Sequence, residues 1–223
     1  MKYKLTEECK MYSGHKVYRI KSTSEFSDVQ DGELGGWVES ENNLAKEGDC
    51  WIYDNAIVMS DAVVKGNAKV CDNAVVSGSA RILGDAKVSS SAKVSGAAVI
   101  CSCAFVHGKA KVSGYAYVGG NADVSGTVFI GQAVCVGDDA KVSGDIGLFG
   151  NAKVYNDAVI TKNSDIVVIK PHWTEMSLVW TKSNGLWIYR GTNFTTSEIL
   201  KYVRETFASE ADRFEKLVEV IVE

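Results

Sequence analysis

The sequence predicts an all-β solenoid, a prism of very short strands wound in triangular coils, and three observations carry that prediction. Among 223 residues there are 21 glycines and 1 proline, whereas a loop-rich globular chain uses both residues as punctuation. From Cys50 to Ile166 the chain keeps a strict period of six, as in GNAKVC, GDAKVS and GNADVS. Stepping by six from Ile52 to Ile166, twenty successive positions are Val, Ile or Leu, and fifteen of the residues two places before them are Ala.

The local pattern Ala-x-Val is a strand of period two, with alanine and valine facing inward and one residue facing out. Alanine and valine at spacings of two and six do not share one face of a 3.6-residue helix, so a helical reading fails. Two places after each aliphatic residue, ten of nineteen hexads carry Gly and most of the others Asp, Ser or Asn, residues that tolerate left-handed turns. Each hexad is therefore a strand and a corner. Three hexads close an eighteen-residue coil, and successive coils pair as parallel strands about 4.8 Å apart. Proline is excluded from such a stack because nearly every N–H has a ladder partner.

The segments on either side read as caps over the exposed ends of the solenoid. Residues 1–49 form a β-rich N-terminal cap, with strands around Tyr3–Thr6 and Val17–Lys21 joined at Ser13-Gly14, and with LGGWVE as a tightly packed turn. Residues 50–169 form the repeat. Residues 170–223, beginning with the sole proline, Pro171, predict a hairpin of Ser177–Thr181 and Leu186–Arg190 around a type I′ turn at Asn184-Gly185. Two helices follow. The first is opened by a Thr195/Glu198 capping box and has Ile199, Leu200, Val203 and Phe207 on one face. The second spans Ser209–Val222, with Phe214, Leu217, Val218 and Ile221 facing inward.

The repeat resembles the hexapeptide-repeat superfamily, in which an aliphatic residue is followed four positions later by a small one, here Val64, Ala68, Val70, Ala74, Val76 and Ala80. That resemblance implies a left-handed parallel β-helix, a hand that periodicity alone does not supply. A narrower likeness, to the YdcK-like branch, rests on Phe26-Ser27-Asp28-Val29, Leu34-Gly35-Gly36-Trp37-Val38 and Gly48-Asp49-Cys50-Trp51-Ile52-Tyr53-Asp54. Its members occur in bacteria, prophages and phages and are often labelled transferases.

Composition bounds the remaining possibilities. A net charge of -4 argues against a nucleic-acid partner. No apolar run reaches the roughly 18 residues of a membrane span. Charges in MKYKLTEECK, where a signal peptide needs an apolar stretch, point to a cytoplasmic protein. Six cysteines without a CxxC pair point to packing residues and no metal site. No P-loop, GxGxxG, HExxH or nucleophile elbow occurs.

Candidate chemistry is confined to outward positions. The resemblance implies acyl transfer from acyl-CoA at clefts between the subunits of a homotrimer, with a histidine as general base. His107 is the sole histidine of the repeat, and histidine is an apt general base near neutral pH, with Phe105 and Tyr117 as candidate cleft walls. Lys69 and Lys87 share its face, and Lys93 and Lys111 lie one coil apart on another, so each pair is a candidate for holding an anionic ligand. A third face carries Val63, Arg81, Leu83, Val99, Tyr117 and Tyr155, apolar enough for a subunit interface.

The period never breaks to project an acceptor loop. The expectation is therefore a non-catalytic binding protein of phage or prophage type, without a cofactor, that engages a host defence protein or a small anionic ligand at subunit boundaries. The alternatives are an acetyl-CoA-dependent O- or N-acyltransferase with His107 as base, and a rigid structural spacer.

Overall fold

The computed structural model describes residues 2–174 and 176–222. Its N-terminal strands are β1 (Tyr3–Tyr12), β2 (His15–Ser22) and β3 (Leu34–Val38). Nineteen two-residue strands follow at intervals of six, from Trp51–Ile52 to Val159–Ile160 (β4–β22). Each from β4 to β19 pairs in parallel with the strand eighteen residues on, for example Lys87↔Phe105 and Val88↔Val106, so the strands stack into three sheets. The inward aliphatic residues from Ile52 to Ile160 are all buried, as are the alanines two places before them. A single core thus runs along the axis of the prism.

Every corner position from Asp54 to Asn156 has a positive φ, whether or not it is glycine. Four of the non-glycine corners also hold their neighbours. Asp54, Asp72 and Asp138 each accept a hydrogen bond from the backbone N–H of the corner one coil on, at 3.1, 2.7 and 3.0 Å. Gln132 does the same for Gly150 at 2.5 Å. These side chains offset the strain of a left-handed L-residue by satisfying a donor on the next coil.

The solenoid starts two sides of a coil earlier than the strict period predicts. Val38 pairs with Val58 and Leu44 with Val64, both in parallel, and both are buried on the axis. A two-residue excess between Leu44 and Ile52 hides this start from a six-residue count. LGGWVE is a strand and not the predicted tight turn: β3 pairs antiparallel with β2 and in parallel with Ile57–Val58. Its glycines serve close packing, since a Cβ on Gly36 would meet Ile52 Cγ2 at 2.4 Å and the Ala56 carbonyl at 2.6 Å. The cap's hairpin is longer than predicted, and its Ser13-Gly14 turn is left-handed at both residues.

At the far end the parallel ladder stops at Ile160. Ile166 opens β23 (Ile166–Ile169), which pairs antiparallel with β24 (Leu178–Thr181). That strand in turn pairs with β25 (Leu186–Tyr189), and β25 with β26 (Thr192–Phe194). The hairpin turn differs from the predicted type I′. Thr181 pairs with Leu186 across a four-residue loop in which Gly185 is left-handed. The loop is drawn onto the last coil, where Ser183 Oγ accepts from the Val159 N–H at 2.7 Å and Asn184 Nδ2 donates to Asp157 at 3.2 Å. Capping a free strand edge outweighs the local preference of Asn-Gly.

Thr195 and Glu198 form the predicted capping box at the start of α1 (Thr196–Thr206). This helix and α2 (Ala211–Val222) pack on their own antiparallel sheet, with Trp187 5.8 Å from Phe214. Leu217, predicted to face inward, is 40% exposed, whereas Phe214 and Val218 are buried and Ile221 packs against the same cluster. No helix among the described residues is long and apolar enough to cross a membrane.

Candidate functional site

The flat faces of the prism bring the outward residues into ladders, and the parallel register determines which share a face. One sheet carries Lys69, Lys87, Phe105, Asp123 and Lys141 in consecutive coils. His107 lies just past this ladder, at the corner after Val106. Its Nε2 is 3.0 Å from Asp123 Oδ1, and its ring stacks on Phe105 at 4.1 Å and 17°. The Lys87 ammonium lies 5.5 Å over the Phe105 ring.

This cluster has a definite chemical capacity. With the Nε2 hydrogen donated to the Asp123 carboxylate, Nδ1 keeps its lone pair free to take a proton. Asp123 also stabilises the imidazolium that forms, while Phe105 covers one face of the ring. The His107 and Asp123 side chains are 30% and 43% exposed, so the pair is reachable from solvent.

Sequence reasoning missed Asp123. The signal was present in the repeat arithmetic: Asp123 stands eighteen residues after Phe105, hence diagonally beside His107 on the next coil. Lys69, by contrast, is already engaged. Its ammonium sits 2.9 and 3.0 Å from the two oxygens of Asp28 in the N-terminal cap, so its charge is spent on holding the cap to the prism. Together with the Tyr53 hydroxyl, Lys69 draws the Asp28 carboxyl down to about 2.

Tyr117 does not meet His107 or Phe105 within the chain. It belongs to the third sheet, in register with Val63, Arg81 and Val99, and its hydroxyl accepts a hydrogen bond from the Cys101 thiol at 3.1 Å. The neighbouring Cys101 side chain, followed by burial, raises the phenol's pKa. Leu83 and Tyr155 extend the same face at positions just past the strands, and burial followed by Cys135 raises Tyr155 likewise. The residues expected on this face do share it, with the exposed Arg81 standing between Val63 and Val99. Lys93 and Lys111 pair in register on the remaining sheet, both exposed, with Phe129 one coil on.

No family model matches the chain. A curated relative, an uncharacterized acetyltransferase named YdcK from Escherichia coli (strain K12), is 45% identical over 74 residues. The match covers 29% of this chain and spans only 23% of the relative's length. The parallel solenoid and this relative together fit a hexapeptide-repeat, transferase-like branch.

Proposed function

We propose that the protein transfers an acyl group from an acyl thioester, such as acetyl-CoA, to a hydroxyl or amine acceptor, with His107 as general base and Asp123 as the residue that orients it. The observation that carries this reading is the 3.0 Å contact of Asp123 with His107 Nε2, which leaves Nδ1 as the proton acceptor. The acetyltransferase name of the relative supports the same chemistry. As the acceptor's lone pair attacks the thioester carbonyl, His107 takes the acceptor proton. The C–S bond then breaks, and the proton passes to the departing thiolate. General-base assistance of this kind contributes about 10²–10⁴-fold.

The cleft is completed in a homotrimer. The apolar face of a neighbour, carrying Val63, Val99 and Tyr117, brings a second aromatic wall opposite Phe105, while Lys93 and Lys111 supply charge for the donor's phosphates. Thiol release from acetyl-CoA with a panel of amine and alcohol acceptors tests the reading. His107→Ala is expected to lose at least 100-fold, and activity unchanged in that variant would reject His107 as base. Native mass spectrometry should find three copies, and a single copy would remove the intersubunit cleft.

A second reading, ligand binding without chemistry, is favoured by the unbroken corner series from Asp54 to Asn156, which projects no loop to wall an acceptor site. It predicts an anionic ligand held by Lys93 and Lys111, with acetyl-CoA neither bound nor turned over.

A further inference from the structure

The C-terminal module contains a hollow that the His107 chemistry does not use. It lies between the loop after β23 and the turn joining β25 to β26, has a volume of about 790 Å³, and is lined by Lys170, Trp173, Thr174, Tyr189, Arg190 and Phe207 among others. Its floor is rigid: Tyr189 is buried, and its hydroxyl is 2.9 Å from Thr174 Oγ1. Aromatic walls stand beside it, with Trp173 and Phe207 6.3 Å apart and tilted by 48°.

Cations stand around this apolar floor. Lys170 and Arg190 are exposed, and among the described residues neither is in an ion pair. The nearby Glu210 is engaged with His172 at 3.4 Å. The Arg190 guanidinium lies 5.5 Å over the Tyr189 ring. Lys153 reaches the same turn from the solenoid, its ammonium 3.9 Å from where a Cβ on Gly191 would stand.

The backbone supplies an independent sign. Arg190 and Gly191 both have positive φ, 54° and 82°, the geometry of a two-residue turn in which Asn-Gly or Asp-Gly is the ordinary choice. Arginine is a costly residue there. What it brings in place of Asn is a guanidinium held over the hollow.

We propose that this hollow binds an aromatic phosphate of mononucleotide size, its ring against Trp173 and Phe207 and its phosphate between Lys170 and Arg190. Two convergent cations match a dianion better than a single carboxylate. The aromatic walls offer stacking area to a planar ring, and the volume falls within the range of small-molecule sites.

Isothermal titration of the full chain with AMP, GMP, CMP and UMP, and with adenosine and inorganic phosphate as fragments, tests the proposal. At least one nucleotide should bind, with adenosine and phosphate each at least tenfold weaker. Arg190→Asn keeps a residue suited to the left-handed turn, so it should preserve Tm while weakening the nucleotide at least tenfold. Lys170→Gln should weaken it similarly, and His107→Ala should leave it unchanged. Failure of all four nucleotides to bind, binding that survives both Arg190→Asn and Lys170→Gln, or phosphate binding as tightly as the nucleotide would overturn the proposal.

Discussion

Replacing Gly114 by alanine separates the two roles of a corner glycine, and Gly185→Ala is its control. Both residues are left-handed, at φ +71 and +64, so both variants incur the cost of an L-residue in that region, about 1–2 kcal/mol. They differ in surroundings. A Cβ on Gly114 would stand 2.7 Å from the Gln132 nitrogen and 2.9 Å from its Cα on the next coil, whereas a Cβ on Gly185 meets nothing within 4 Å. Backbone atoms cannot swing aside as a side chain can, so the coils must part locally, at about 1–3 kcal/mol more. At about 2–4 °C of Tm per kcal/mol for a chain of this size, Gly114→Ala should melt about 2–12 °C below Gly185→Ala in a calorimetric scan. Equal losses would refute the claim that close coil stacking, beyond conformational freedom, selects glycine at these corners.

Other perturbations test the caps and the thiols. Asp28 has a folded pKa of about 2, lowered by Lys69 and Tyr53, against about 3.9 in an unfolded chain. The stability it adds is thus complete above about pH 4 and is lost as pH falls toward 2. Asp28→Asn should cost under about 1 kcal/mol at pH 7 for this exposed pair, and the gap from wild type in urea titrations should vanish by about pH 2. A gap that persists there would reject the assignment. Asn43 is fully buried and donates to the Ser60 and Ala62 carbonyls at 2.8 and 2.9 Å while accepting from the Ser40 N–H at 2.8 Å. Asn43→Ala leaves those groups unpaired, so it should lose about 2–4 kcal/mol in chemical denaturation; a loss under about 1 kcal/mol would mean the first coil is not tied down there. Burial pushes the Cys71 thiol up to about 11, and Cys50 is buried, whereas Cys9 and Cys103 are exposed. Iodoacetamide at pH 8, followed by peptide mass mapping, should label Cys9 and Cys103 well before Cys50 and Cys71. Early modification of Cys71 would contradict its placement.

The solenoid was legible because one six-residue rule governs both its inward ladder and its corners, so each hexad repeats the evidence of the last. The rule stopped working where tertiary contacts replaced it. Val38 and Leu44 escaped because the step from Leu44 to Ile52 is eight, and only their pairing with Val58 and Val64 reveals the earlier start. Asn184-Gly185 carried an honest turn signal, but Asp157 and the Val159 N–H lie on another part of the chain and drew the loop into a wider form. The candidate site was half legible. His107 stood out by residue type, whereas Asp123 is one of many outward residues whose importance comes from a diagonal contact between coils. Tyr117 was grouped with His107 by chemistry, although the repeat count already assigned it to another face. The Arg190 hollow has no periodic signature, since the loop after β23, the turn after β25 and the C-terminal end of α1 assemble it.

The most direct test of the acyl-transfer account is the rate of CoA thiol release by wild type, His107→Gln and Asp123→Asn in a single assay of trimeric protein. The account predicts acceptor-dependent release that falls at least 100-fold in His107→Gln and by an intermediate factor in Asp123→Asn, with acetyl-CoA affinity retained in both. Thiol release that is absent in wild type, or equal in all three proteins, would contradict it.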